Sequence, residues 1–354
     1  MNELLGILPV KLKESMKDNG IKAFVADQIL DWVFKKSVVN FSDMQNVSKE
    51  NREKLSTLYN LFPFKNVEVL ESSDGLAVKG ILTLEDGAKI ESVILKERDY
   101  YNLCISTQCG CPVDCKFCLT GITGFKRNLK AAEIVGQILW ANNYLASKKI
   151  DHRISHLVFM GMGEPLLNYD ELIKSLAMIH DEQGFFISTR KVTVSTSGFI
   201  KTIRQLIEDD VKLNLAFSVG CVNRDKRIEI MPVEELNPIM DVAKVLKEYQ
   251  ALHNRKLTLE YTMLAGVNDT DQDIQDLIGL AKYLKAKINL INLNPHNKIP
   301  FKEISNSKLH RLKTMIQNQH VPVTIRFRKG RDISAACGQL GESRMEEANE
   351  NGND

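Results

Sequence analysis

The first sixty positions carry apolar residues at three- and four-residue spacing, the period of helices with one buried face. This predicts short helices over residues 8–17, 24–35 and 48–59, with Phe24, Ile29, Leu30 and Val33 apolar in the second and an Asn19-Gly20 break before it. They read as a small helical bundle. From 67 to 97 the period changes to two, and Asp74-Gly75 and Asp86-Gly87 supply turn signals, so an antiparallel meander is expected. Farther on, strand and helix patterns alternate. Strands are predicted over 103–107, 156–160, 191–195, 212–217, 257–263, 288–293 and 321–327, and helices over 131–146, 170–180, 200–208, 239–253, 271–284 and 306–319. Repeated alternation gives an α/β fold with a parallel sheet, here a full or partial barrel, whose chemistry gathers at the carboxyl ends of the strands. Unusual residues follow those ends: a cysteine run, Gly161-Met162-Gly163-Glu164-Pro165, Ser195-Thr196-Ser197-Gly198, Ser218-Val219-Gly220 and Asn294-Pro295.

Composition narrows the class without naming a function. The 354 residues are 44% hydrophobic and 26% charged, with 20 Gly and 9 Pro, which fits an ordinary globular chain of about two domains, or one large domain with an appendage. No apolar run approaches the roughly 18 residues of a membrane span, and the short run over 4–10 has no Lys or Arg before it, so a cytoplasmic protein is expected. Net charge is +2, but residues 341–354 hold five acids against one base. That tail has almost no apolar content and is expected to be disordered. The rest is modestly basic, which permits an RNA partner without requiring one.

Five of the seven cysteines fall between Cys104 and Cys118, while Cys221 and Cys337 lie far away. Clustered thiols in such a chain suggest a metal rather than a disulfide scaffold. Cys111, Cys115 and Cys118, separated by three and then two residues, offer three thiolates and no obvious fourth local ligand. A closed zinc site wants four ligands, whereas three thiolates on a 4Fe-4S cluster leave one iron open. A four-thiolate zinc knot that recruits Cys109 is the competing reading. Cys109 and Cys221 are otherwise taken as packing residues.

CxxxCxxC with Phe117 before its last cysteine, after the first barrel strand, resembles the radical S-adenosylmethionine (SAM) superfamily. The segments CISTQCGCPVDCKFCLTGITGFKRNL, FMGMGEPLLN, KVTVSTSG and DISAACGQL resemble the RlmN/Cfr group of RNA adenosine methyltransferases, and the likeness runs over about residues 4–340. The resemblance implies a partial (β/α)6 radical SAM barrel over 99–340, an N-terminal helical RNA-contacting domain over 1–62, a β-meander linker over 63–98 and the acidic tail over 341–354. It implies that Cys111, Cys115 and Cys118 hold a 4Fe-4S cluster whose open iron chelates SAM. Gly163, Glu164, Ser195, Ser218 and Asn294 then contact SAM, and Glu164 meets its amino group. One SAM methylates Cys337. A radical derived from a second SAM activates that methyl group for addition to adenine, a ring carbon that ordinary methyl transfer does not reach. Cys104 resolves the resulting adduct through a disulfide with Cys337, and Glu91 removes the ring proton. The implied product is an adenosine methylated at carbon 2 in 23S rRNA, with tRNA as a further candidate. A reductant such as flavodoxin or ferredoxin would serve a monomeric enzyme.

One departure stands out: the family's Ser-Leu-His becomes Ser218-Val219-Gly220 here, so the imidazole is missing. Lys126, Arg127 and Lys130 after the cluster motif, and Arg326, Arg328, Lys329 and Arg331 before Cys337, are read as a rim for RNA phosphates, extended by Lys11, Lys13 and Lys17. Two alternatives stay open. One is carbon 8 methylation, the Cfr type linked to antibiotic resistance; the other is a catalytically silent RNA-binding protein with a zinc or iron-sulfur site.

Overall fold

The computed structural model describes residues 1–326 and 328–343. Helices α1 (Pro9–Asp18), α2 (Ala23–Leu30) and α3 (Lys49–Leu58) build the N-terminal bundle, and α2 passes into a π-helical turn over Asp31–Lys35. Pro9 begins α1, where its missing N–H costs nothing, and Ser48 caps α3 by accepting from the Asn51 amide.

One ten-stranded sheet forms the body. Its strands are β1 (Phe64–Glu71), β2 (Ala77–Leu84), β3 (Lys89–Lys96), β4 (Tyr101–Cys104), β5 (Ile154–Phe159), β6 (Val192–Thr196), β7 (Asn214–Ser218), β8 (Leu257–Met263), β9 (Lys287–Asn292) and β10 (Val323–Ile325). They lie side by side in chain order. Pairing is antiparallel from β1 to β4 and parallel from β4 to β10. The meander is therefore hydrogen-bonded into the same sheet as the barrel strands and does not stand apart as a linker. The crossovers are α4 (Ala131–Ser147), α5 (Tyr169–His180), α6 (Ile200–Glu208), α7 (Ile239–His253), α8 (Asp271–Tyr283) and α9 (Asn306–Asn318). Sequence patterning placed all six, because each turns an apolar stripe onto the sheet. It missed the short helices Leu119–Ile122 and Arg224–Ile230, which are too brief to show a period. Phe327, the expected end of the last strand, lies outside the described residues.

Among the described residues no ladder joins β10 back to the meander. The chain after β10 crosses that gap instead. Asp332 accepts from the Ser73 amide at 2.8 Å, Lys329 Nζ donates to the Lys96 carbonyl at 2.6 Å, and Lys79 Nζ donates to the Ser334 carbonyl at 3.4 Å. Farther on, the Leu119 amide donates to the Gly338 carbonyl and Thr120 Oγ1 to the Leu340 carbonyl. Gly341 and Ser343, read from sequence as the start of a disordered tail, are buried, because Ser343 is held by Glu91 through its amide and its hydroxyl. Residues 344–354 lie outside the described residues. No helix among the described residues is long and apolar enough to cross a membrane.

Candidate active site

A hairpin of Gln108–Gly110 with Phe125–Asn128 brackets the cysteine segment. Between its arms the Cys118 amide donates to the Cys115 carbonyl at 3.0 Å, the Cys111 amide to the Gly124 carbonyl at 3.3 Å and the Lys116 amide to the Ile230 carbonyl at 3.0 Å. These bonds turn Cys111, Cys115 and Cys118 onto one wall of a cavity of about 170 Å³. Burial pushes the Cys111 and Cys115 thiols up, and the Cys118 thiol adds to both shifts. Cys109 is fully buried in the hairpin ladder and does not line the cavity. Among the described residues no three His, Cys, Asp or Glu side chains converge as the ligands of one ion would. A cluster that takes one thiolate per iron does not ask for that convergence.

The strand ends also line this cavity, through Gly163, Glu164, Ser195, Ser218 and Asn294. Gly163 sits at φ +100, and a Cβ there would meet Gln108 Cβ at 2.5 Å, so only glycine fits. Glu164 is buried and burial raises its carboxyl. Its Oε2 accepts from the Ser197 amide and hydroxyl, both at 2.8 Å, and Oε1 accepts from the Leu166 amide at 3.2 Å. The carboxylate expected to hold the SAM amino group is thus already tying the β5 end to the β6 end. Ser195 Oγ and Ser218 Oγ face each other at 3.3 Å across β6 and β7.

Arg227 had no signal in the sequence. Its guanidinium is fully buried, donates to the Val219 and Ser197 carbonyls at 2.8 Å each, and pairs with Glu234. It clamps the loops after β6 and β7. Gly220, at φ +66, occupies the position of the family histidine, and a Cβ there would lie 2.3 Å from Met231 Sδ. Methionine fills the volume that a side chain at 220 would need, so the imidazole is replaced by a thioether.

Cys337 stands on a wall shared by two cavities. One is the cysteine cavity; the other, of about 290 Å³, lies among Asn102, Asn289, Arg326 and Ala336. The Asn294 side-chain amide donates to the Cys337 carbonyl at 3.0 Å, while its Oδ1 is buried without a partner. Cys104 lies buried at the end of β4, and burial pushes its thiol up to about 12 against the opposing charge of Arg326. Arg326 in turn is acted on by the Cys337, Glu260 and Cys104 side chains. None of the seven cysteines is in a disulfide, so the pairing of Cys104 with Cys337 that the resemblance implies is not formed here.

Glu91 is not brought to either cavity. It is fully buried; Ser343 donates to its Oε1 from the amide at 3.1 Å and the hydroxyl at 2.7 Å, and Lys79 Nζ stands 3.6 Å from Oε2. Several of the groups read as a basic rim have carboxylate partners within the chain. Arg127 is engaged by Asp86 and by both oxygens of Glu133, Lys329 by Glu97, Arg328 and Arg331 by Glu303, and Arg326 is turned inward.

Comparison with known proteins matches this arrangement. Residues 2–61 match the ribosomal RNA large subunit methyltransferase N-terminal domain, and residues 105–281 match the radical SAM superfamily. Over 340 residues the chain is 38% identical to a probable dual-specificity RNA methyltransferase RlmN of Dictyoglomus turgidum, covering 96% of this chain and 97% of that protein. The chain belongs to the RlmN family. Another family member, the probable RlmN of Pseudothermotoga lettingae, is 40% identical over 337 residues, covering 95% of this chain and 96% of that protein. A crystal structure of a radical SAM methyltransferase from Sphaerobacter thermophilus superposes with a TM-score of 0.92 at 33% identity, covering 96% of this chain and 99% of that one. The fold is thus the radical SAM α/β fold with the N-terminal domain of the RlmN family, as the motifs led us to expect.

Proposed function

We propose that this RlmN-family chain methylates carbon 2 of an adenosine in 23S rRNA, with tRNA as a second substrate, and that Cys337 carries the methyl group on its way to the base. The observation that carries the proposal is the position of Cys337 on the wall between the three-cysteine cavity and a second, polar cavity. A residue that takes a group from one ligand and passes it to another belongs between their sites.

The residues present fit the family's cofactors. Cys111, Cys115 and Cys118 are soft sulfur donors on one wall, suited to an iron-sulfur cluster. The buried Asn294 Oδ1 has acceptor capacity that no protein group uses, as a site for the amino or hydroxyl groups of SAM requires. When bound, the cluster and SAM supply the methyl group and the radical chemistry that an unactivated ring carbon needs. Gly163 lets the β5 loop approach the cavity closely, and Ser195 with Ser218 presents hydroxyls to it. Cys104 is the thiol that releases Cys337 from the methylated base: its sulfur attacks the Cys337 sulfur, the bond from that sulfur to the transferred carbon breaks, the electron pair passes to the base side where that carbon takes up a proton, and a Cys104–Cys337 disulfide is left; burial keeps Cys104 neutral until then. Glu91 is the proton acceptor in a state where Ser343 has moved away. A reductant of the flavodoxin or ferredoxin type, a cytoplasmic location and action as a monomer belong to the same proposal.

The test is anaerobic reconstitution with iron and sulfide, then incubation with SAM, RNA and a low-potential reductant such as dithionite, followed by mass spectrometry of the Cys337 peptide and of the released nucleosides. Methyl-Cys337 and 2-methyladenosine are expected. In Cys104→Ala the protein should remain cross-linked to RNA on a denaturing gel, whereas Cys337→Ala should form no adduct. RNA methylation by Cys337→Ala, or 8-methyladenosine as the product, refutes the proposal.

A further inference from the structure

The second cavity beside Cys337, which the proposed function leaves to the RNA side, has most of its polar groups already engaged. Lys329 is paired with Glu97 at 2.8 Å, Arg328 donates to the Leu293 carbonyl at 2.9 Å and pairs with Glu303, and the Asn289 amide is held by Glu260 at 2.9 and 3.2 Å. Two groups are not. Asn102, on β4, makes no side-chain hydrogen bond among the described residues, and its Oδ1 lacks a partner. The Arg326 guanidinium makes one, to Met160 Sδ at 3.4 Å, so most of its donors are unspent. Polar side chains left unpaired on the wall of a partly enclosed cavity cost stability unless a ligand completes them.

From this we infer that the cavity receives the target base after it leaves its stack, and that Asn102 determines which carbon of the ring reaches Cys337. The inference rests on the RNA methyltransferase reading. A side-chain amide pairs with adenine in two bonds: its carbonyl accepts from the exocyclic amine at position 6, and its N–H donates to ring nitrogen 7. Carbon 8 is next to nitrogen 7 and is covered by that grip. Carbon 2 lies on the opposite side of the ring and stays open. Arg326 lines the same two cavities as Cys337, so its unspent N–H groups stand where the ring nitrogens flanking carbon 2 arrive. Those nitrogens are acceptors only, which suits a guanidinium. Extrusion of a single base into a pocket is how enzymes that do chemistry on a base reach it.

The experiment uses the full iron-loaded chain and three RNA hairpins that are identical except at one unpaired position: adenosine, 7-deazaadenosine, or purine riboside, which lacks the amine. Affinities are read by fluorescence anisotropy at one salt concentration. The adenosine hairpin should bind about tenfold more tightly than either analogue, because each analogue leaves one partner on Asn102 unpaired. Asn102→Leu should lower adenosine binding to the level of the analogues and flatten the three affinities to within about twofold, with iron content as the check on folding. Equal binding of all three hairpins by the native protein, or discrimination that survives in Asn102→Leu, overturns this inference and leaves the methyltransferase reading standing. A failure to bind any hairpin overturns both. A variant that does not fold leaves the comparison within the native protein to decide. If Arg326→Gln reduces the salt dependence of binding by about one phosphate contact while the hairpins are not distinguished, the cavity holds a phosphate and the inference is wrong.

Discussion

Replacing Arg227 by Met tests whether the carboxyl-end loops of the barrel are held by one buried cation. Methionine fills part of the same space but removes the charge and every donor. The Val219 and Ser197 carbonyls each lose a bond of 2.8 Å, and Glu234, itself fully buried, keeps the Ile239 amide at 2.9 Å and a longer ion pair with Arg224 at 3.9 Å. Breaking a buried ion pair by removing one partner costs about 3–5 kcal/mol, because a charge stays behind without compensation. Against a total stability of about 5–15 kcal/mol that is a large fraction. Adding Glu234→Leu removes the stranded carboxylate, so the double variant should be more stable than Arg227→Met, with a favourable coupling of about 1–3 kcal/mol. Urea unfolding of the full chain gives both numbers, provided the slope is unchanged between variants. Iron loading is a second readout, because the Arg227 charge also acts on the Cys115 thiol. A single variant within about 1 kcal/mol of the native chain, or a double variant no better than the single, would refute the clamp.

The cysteines divide in the same way. Cys111→Ala, Cys115→Ala or Cys118→Ala should abolish iron loading, whereas Cys109→Ala and Cys221→Ala, which change residues outside the cavity wall, should leave it nearly intact by metal analysis. Cys104 should escape iodoacetamide at pH 8 in the native protein and react fully in urea, as peptide mass spectrometry will show. A thiol raised from 9.0 to about 12 favours the neutral form, so its contribution to stability is complete below about pH 9 and is lost as pH climbs toward 12. Gly220→His, which restores the family residue, should destabilise the chain by about 2–5 kcal/mol, combining a left-handed backbone with overpacking against Met231. Met231→Ala in the same chain should recover part of that loss, and a histidine accepted at no cost in urea unfolding refutes the packing argument.

What could be read from sequence was local. Each crossover helix carries its own apolar stripe, the strand ends are marked by turn residues, and the cysteine spacing of three and two lies within a single loop. Gly163, Glu164, Ser195, Ser218 and Asn294, expected from the resemblance to contact SAM, all line the cavity, since each lies at or just after a strand end. What was not legible depends on partners far along the chain. Arg326 and Arg127 look like surface charges until the groups beside them are known: Glu260 and two thiols for Arg326, Asp86 and Glu133 for Arg127. Glu164 is marked in the sequence only by its motif, and its tie to Ser197, 33 positions away, appears only in the fold.

The longest-range contacts have the most bearing on the chemistry. Cys337 is delivered to its place by a segment that leaves β10, bonds to the meander through Asp332 and Lys329, and then bonds to the cysteine loop through Gly338 and Leu340. The same segment ends on Glu91, 252 positions earlier, where Ser343 supplies two hydrogen bonds to one carboxylate oxygen. The element that brings the thiol proposed to carry the methyl group to the cavities is therefore also the element that covers the proposed base. A buried carboxylate bonded twice by Ser343 and flanked by Lys79 is stabilised where it stands. It gains access to a ring proton only if the Ser343 contact opens, whereas Cys337 needs Gly338 and Leu340 to stay docked. Motion at the end of this segment can thus expose Glu91 without displacing Cys337, because the bonds that hold the thiol lie between the two.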